Sequence, residues 1–190
     1  MIQAAKPQNI KIEISSLIAN VLTKVSFLIM TPEEKIKCGN MFGVAKTYKE
    51  SAELLDGMNQ IVTAIAAKQD IKAPGGRALN FDHVILTRII LYGIAIEIYL
   101  KALLFADGVA EQRTHEWDKL FSSLPAARQT EIINAIGETF RANFANLLSA
   151  NKDIFVKWRY SYEETSLTCD ISFVKELSDV LGSIVMKLIN

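Results

Sequence analysis

The sequence predicts an all-α protein, an antiparallel up-and-down bundle of about four long helices with shorter ones between them. Apolar residues recur at three- and four-residue intervals over long stretches, and capping residues, glycines and prolines separate these stretches. The 190 residues, 50% of them hydrophobic, are enough for one domain with a buried core. We expect one domain over 1–190, with an N-terminal arm or extra helix over 1–30 and the bundle over 31–190.

The first 30 residues carry two patterns. Ile10, Ile12 and Ile14 alternate with charged residues, which is typical of a strand, whereas apolar residues from Leu17 to Leu28 follow helical spacing. An extended arm leading into a short helix satisfies both patterns.

The first long helix is predicted from Thr31 to about Lys68. Thr31 and Glu34 have the spacing of a capping box, and Pro32 suits the first helical position. A break at Gly39 or Gly43 is an alternative. The expected apolar face includes Tyr48, Leu55, Met58, Val62 and Ile65.

A second long helix is predicted over 79–106, ended by Asp107 and Gly108. It is apolar on nearly every side, which is typical of the centre of a bundle or of a subunit interface. Arg88, Glu97 and Lys101 interrupt this apolar stretch, so we interpret it as a core helix and expect no membrane span.

Three further helices complete the predicted bundle. Thr114 is expected to cap a short helix that runs through Phe121, and Pro125 opens the next helix. That helix should carry one apolar stripe, formed by Ile133, Ile136, Phe140, Phe144 and Leu147. The last helix, over 172–188, has the clearest apolar periodicity in the chain.

The composition and the motifs give no support to several classes of function, although a local basic patch stays open. Lys and Arg together number 21, as do Asp and Glu, so no overall charge favours nucleic acid or anionic lipid. Cys38 and Cys169 have no metal-ligand spacing, and we expect no disulfide, metal or cofactor and a cytoplasmic location. We find no P-loop, HExxH, nucleophile-elbow or Glu-x-x-His motif.

Polar residues interrupt the core pattern in two places. Glu97 and Lys101 lie one helical turn apart, so they can form an ion pair, either in solvent or with further partners in an apolar setting. His115 precedes Trp117 at the start of a short helix. It is either an exposed first-turn residue or a hydrogen-bonding group in a site.

A third polar stretch surrounds an arginine with aromatic residues. It contains Trp158, Arg159, Tyr160, Tyr162 and Glu163. Arg159 with aromatic neighbours can bind a base and a phosphate. Alternatively, it can form a buried salt bridge with Glu97 that joins two helices.

These stretches together resemble the HEPN superfamily of helical bundles from higher eukaryotes and prokaryotes. The resemblance rests on Ala-x-Glu-x-x-Leu-Lys-Ala-Leu-Leu over 95–104, a turn at Gly108, Thr-His-x-x-x-x-Leu over 114–120, and the aromatic-Arg-Tyr segment. It covers roughly residues 40–188. It implies a bundle that is usually dimeric, and members that cleave RNA, act as toxins or defence proteins, or partner a nucleotidyltransferase.

The nuclease motif of this superfamily is an Arg followed after four to six residues by a His. Arg159 matches the Arg, but Glu164, Thr165 and Ser166 stand where the His would fall. We therefore expect a non-catalytic, homodimeric module that binds nucleotide, RNA or a protein partner.

Two alternatives to this expectation stay open. The first is a divergent metal-independent RNase, in which Arg159 stabilises the transition state and Tyr162, Glu163 or Glu164 replaces the missing His. The second is a purely structural interaction subunit, in which the polar residues fix the register of the helices.

Overall fold

The computed structural model of the chain describes residues 30–69, 82–110, 112–154, 157 and 169–190. In this part the secondary structure is helical throughout, with no strand, which confirms the predicted all-α bundle. The segment 1–29, where we expect an arm or a helix, lies outside the described residues. Seven helices are described: α1 (Pro32–Gln69), α2 (Asp82–Ala106), α3 (Trp117–Ser122), α4 (Ala126–Ala135), α5 (Glu138–Arg141), α6 (Phe144–Ala150) and α7 (Ile171–Ile189).

The first two long helices run antiparallel to each other. Asp56, in the second half of α1, forms an ion pair with Arg88, near the start of α2. Cys38, near the start of α1, places its Sγ 4.0 Å from the carbonyl oxygen of Ala102, near the end of α2. These two contacts fix the direction and register of the pair.

The last helix also runs antiparallel to α1. Lys49 Nζ of α1 lies 2.8 Å from Asp179 Oδ1 of α7, and Glu53, one turn further along α1, lies near Lys175, one turn earlier in α7. Consequently α2 and α7 point the same way, and the short helices α3 to α6 carry the chain from one end of the bundle to the other.

The predicted start of α1 is confirmed atom by atom. The Thr31 N–H donates to the Glu34 carboxylate at 2.8 Å, and the Glu34 N–H donates to Thr31 Oγ1 at 3.2 Å. The helix then continues past Gly39 and Gly43, so the alternative of a break there is wrong. Gly108 is the one described glycine with a positive φ.

The inner face of α1 differs from the predicted one. Between residues 32 and 61, where burial is described, its fully buried residues are small and lie seven positions apart: Cys38, Ala45 and Ala52. Small side chains let α1 approach the core helices closely, and a seven-residue interval keeps them on one face. Tyr48 and Leu55 are half-buried at the edges of this face, but Met58 is exposed, contrary to the prediction. The side chains of Val62 and Ile65 lie outside the described residues.

Helix α2 is the buried centre of the bundle, as predicted. Its stretch Thr87–Ala106 is long and apolar enough to cross a membrane, with a mean hydropathy of 2.0, but 61% of it is buried inside the bundle. This burial supports its interpretation as the core helix of a soluble protein. At its end the Gly108 N–H donates to Phe105 and the Val109 N–H donates to Leu104, which is a Schellman cap.

The short helix α3 begins later than predicted. Its first residue is Trp117, and Thr114 does not cap it. Instead Thr114 Oγ1 accepts a hydrogen bond from the Glu116 N–H at 3.1 Å, which shapes the turn before the helix. Trp117 is fully buried, so this turn positions its indole ring in the core.

The single helix predicted after Pro125 is three short helices, α4 to α6. The chain turns to an extended conformation at Ile136, and the next backbone N–H, at Gly137, donates to the Glu176 carboxylate of α7. Arg141 donates to the carbonyl oxygens of Asn134 and Ile136, which closes the break. One contact from α7 and two within the segment thus replace the helical hydrogen bonds of a continuous helix.

Helix α7 confirms the prediction for the last helix. Asp170 caps it by accepting from the Phe173 N–H at 3.0 Å. The Phe173 ring lies 5.7 Å from that of Phe140 and 5.9 Å from that of Phe144. This aromatic cluster anchors α5 and α6 to the start of α7.

Candidate functional site

Three of the residues predicted for a polar site meet in the structure. Glu97 Oε1, on α2, lies 2.8 Å from Lys101 Nζ and 2.8 Å from His115 Nδ1. Lys101 is the next turn of the same helix, and His115 arrives from the loop before α3. One carboxylate oxygen therefore joins two groups from separate elements, and we call Glu97, Lys101 and His115 the Glu97 cluster.

The cluster joins a buried carboxylate to two more exposed partners. Glu97 is 8% exposed, whereas the side chains of Lys101 and His115 are 25% and 51% exposed. A carboxylate in an apolar helix needs partners, and these two provide hydrogen bonds. Since a carboxylate only accepts, His115 Nδ1 carries the proton in this contact.

His115 combines the two alternatives that the sequence left open. It is half exposed, as a surface residue would be, and it also hydrogen-bonds to a buried group. The contact holds the loop of residues 112–116 against α2, so His115 has a positioning role at least. The ion pair between Glu97 and Lys101 is likewise confirmed, and it lies at the edge of the apolar interior.

A small cavity opens beside Lys101, between the start of α1 and the end of α2. Its volume is about 110 Å³, and it is lined by Lys37, Met41, Lys101, Leu104, Phe105, Val109 and Gln112. Lys37 Nζ lies 4.4 Å from the centre of the Phe105 ring, a cation–π contact. The described residues that line this cavity include two lysines and no acidic residue, and one of the two, Lys101, is paired with Glu97.

The remaining predicted site residues cannot be placed against this cluster. Trp158, Arg159, Tyr160, Tyr162 and Glu163 lie outside the described residues, as does Glu164. The proposed salt bridge between Arg159 and Glu97 and the proposed phosphate site at Arg159 both stay predictions.

Sequence reasoning missed the contribution of α1 to the cavity. Lys37 and Met41 reach it because the antiparallel pairing places the start of α1 beside the end of α2. No spacing rule joins Lys37 to Lys101, since the two are far apart in the chain. The one available signal is a lysine in the early turns of a helix that follows a capping box.

The structure provides no metal-binding group in the part of the chain that it describes. No three His, Cys, Asp or Glu residues among the described ones come together as metal ligands. The cysteines Cys38 and Cys169 are both free thiols, the first buried and the second half-buried. Burial raises the pKa of the Cys169 thiol to about 12, which is unsuited to a nucleophile at neutral pH.

Comparison of the chain with protein-family models, with curated proteins and with solved structures finds no match.

Proposed function

We propose that this protein is a non-catalytic, HEPN-like helical module of the cytoplasm that binds a nucleotide or the phosphate backbone of RNA. The observation that carries the proposal is the cavity beside the Glu97 cluster, where Lys37 and Lys101 flank an apolar floor. A nucleotide has the matching parts, a flat apolar base and a charged phosphate.

The chemistry of the cavity suits binding better than cleavage. Leu104, Phe105 and Val109 offer apolar surface to a base, and two ammonium groups offer charge to a phosphate. At about 110 Å³ the cavity has room for one ring, with the phosphate held at its mouth. Lysines bind phosphate as point charges, and no His, Asp or Glu among the described residues lines the cavity to act as a general acid or base.

The test is binding of AMP and of a short, fluorescein-labelled single-stranded RNA. We expect Lys101→Met or Lys37→Ala to weaken binding by about tenfold, since a hydrogen bond to a charged group contributes about 1.5 kcal/mol. Lys35→Ala is the matched control, because Lys35 is also exposed on α1 but does not line the cavity. For RNA, each lost phosphate contact should also lower the salt dependence, by about 0.7 in the slope of log K against log salt.

The same samples test the alternative of a divergent RNase. Metal-independent cleavage of the RNA that Arg159→Ala abolishes would overturn the non-catalytic proposal. Binding that Lys35→Ala weakens as much as Lys37→Ala does would show a diffuse charge effect and no site.

A role in protein assembly is the second candidate function, and a different surface favours it. The outward face of α1 carries large apolar side chains in solvent, including Leu54 and Ile61. Homodimerisation and a nucleotidyltransferase-type partner, both implied by the resemblance, are proposals of this kind.

A further inference from the structure

The outward face of α1 is apolar over most of its described length. Ile36, Val44, Leu54, Met58 and Ile61 are each between 50% and 66% exposed. Between residues 36 and 61 the positions that share this face are uncharged, except for Glu50 at its edge. We call this set the outer stripe: Ile36, Asn40, Gly43, Val44, Thr47, Ser51, Leu54, Met58 and Ile61.

The outer stripe lies on the side of α1 opposite the core. At 100° per residue, Thr47 and Leu54 point about 160° away from Ala45 and Ala52, which are fully buried. A surface helix normally has charged and polar residues on the side away from the core. Between residues 36 and 61, helix α1 instead places its charges on the flanks and at the edge of the outer stripe, so two opposite faces are largely uncharged, as in a helix between two neighbours.

We propose that the outer stripe is a docking surface for a second copy of this chain, with the two α1 helices antiparallel. This proposal rests on the homodimer of the proposed function and names its surface, and it does not depend on the ligand site. The stripe spans 36–61, about 38 Å of helix at 1.5 Å per residue.

The pattern of the stripe is self-complementary in the antiparallel direction. A two-fold axis between Tyr48 and Lys49 sets Ile36 opposite the partner's Ile61. Within one residue, it also sets Val44 opposite the partner's Leu54. Gly43 has nothing within 4 Å of the position where a Cβ would stand, so it leaves room there for a large side chain. The same patch then meets itself, as an isologous interface requires.

The charges that flank the stripe favour the same arrangement. Lys46 and Glu50 lie at one edge of the stripe, with side chains 54% and 59% exposed. In the antiparallel pair Lys46 faces the partner's Glu50, and Glu50 faces the partner's Lys46. A parallel pair would place the two edges on opposite sides of the interface, so these contacts between Lys46 and Glu50 would not form. This charge complementarity identifies a second copy as the occupant.

The first experiment is sedimentation of the full chain over a concentration series. We expect a mass of twice the 21.2 kDa of one chain, and a monomer for Leu54→Glu. Met186→Glu is the matched control and should stay dimeric, because Met186 is similarly exposed but lies on α7, outside the stripe. Circular dichroism checks that Leu54→Glu keeps its helices, as a change at an exposed position should.

The second experiment tests the antiparallel direction. Lys46→Glu and Glu50→Lys should each weaken the dimer by at least about tenfold, and the double variant should restore it. A monomeric wild type would overturn the proposal and indicate that residues 1–29 or a different protein covers the stripe. A dimer insensitive to Leu54→Glu would overturn it too. AMP binding by the monomeric Leu54→Glu variant separates this proposal from the ligand site, whose failure would leave the dimer intact.

Discussion

Two charged clusters hold different parts of this bundle, and they differ in how completely they are buried. Arg128, on α4, is 3% exposed and donates to both carboxylate oxygens of Asp107, at 2.9 and 3.1 Å. Glu97, on α2, is also buried, but the side chain of its partner His115 is half exposed. In the first cluster both signs of charge are inside the protein, and in the second only the negative one is.

This difference separates a structural cluster from one that can serve a ligand. Arg128 joins α4 to the residue that ends α2, and it also donates to the Glu131 carboxylate. Burial lowers the pKa of Arg128, but hydrogen bonds and attraction from Asp107 outweigh this and hold it above its usual value. The guanidinium therefore stays charged and fixed. Lys101, in contrast, is 25% exposed and lines the cavity of the proposed ligand site.

The largest expected effect follows from removing the buried cation. Arg128→Ala leaves the Asp107 carboxylate buried without its bidentate partner, so we expect a loss of about 3–5 kcal/mol in the free energy of unfolding. Urea unfolding followed by circular dichroism measures it.

Two controls show whether the lost ion pair causes that effect. Lys157→Ala removes one half of an exposed pair, with Asp153, and should change the free energy of unfolding by less than about 0.5 kcal/mol. The double variant Arg128→Met with Asp107→Asn removes both charges and should recover part of the loss. If Arg128→Ala changed the free energy of unfolding as little as Lys157→Ala, the burial of the Arg128–Asp107 pair would have no energetic consequence.

The Glu97 cluster should respond more weakly. Glu97→Gln keeps the size of the side chain and its capacity to accept from His115, so the loss should be about 1 kcal/mol. The two partners can turn to water, because neither is fully buried. Urea unfolding of Glu97→Gln and of Arg128→Ala under the same conditions compares the two losses in the free energy of unfolding. A loss as large as that of Arg128→Ala would mean that the Glu97 cluster is structural in the same sense.

The sequence could predict one of these clusters and not the other, for a geometric reason. Glu97 and Lys101 are four positions apart on one helix, and that spacing alone brings them together. Asp107 and Arg128 are separated by a loop and a helix, α3, so their contact depends on tertiary packing. The sequence identified Asp107 only as the end of a helix, and it gave no reason to single out Arg128.

Helix boundaries could likewise be predicted where their cause is local, and could not where it is a tertiary contact. Caps at Thr31 and Asp170 and the stop at Gly108 are local, and the structure confirms the helix boundaries that depend on Thr31 and Gly108. The interruption at Gly137 depends on Glu176, far along the chain, and was not predicted. For α1 the prediction chose the large apolar residue Met58 for the core, whereas the close contact requires small residues such as Ala45.

A third set of charges lies between α1 and α7, at the protein surface. Removing a charge from this set should have the smallest effect on the free energy of unfolding. Asp179 accepts from Lys49 and Lys175, at 2.8 and 2.9 Å, with its side chain 40% exposed. Burial raises the pKa of Asp179, but the two lysines outweigh it and hold the pKa below its usual value. The stability that Asp179 contributes is therefore present above the usual aspartate pKa, about pH 4, and is lost as the pH falls through the lower folded value.

Because solvent screens this pair, the contribution at neutral pH should stay under about 1 kcal/mol. Thermal unfolding of the wild type and of Asp179→Asn over a series of pH values isolates it. The melting temperatures should differ slightly at about pH 7 and converge in acid, as the pH falls through the lowered folded pKa of Asp179. High salt should shrink the difference at neutral pH, whereas salt should leave the effect of Arg128→Ala nearly unchanged, since a buried pair is screened far less. If salt left the difference in melting temperature between wild type and Asp179→Asn unchanged, the Asp179 ion pairs would behave like the buried Arg128–Asp107 pair. Burial would then no longer distinguish the two kinds of ion pair.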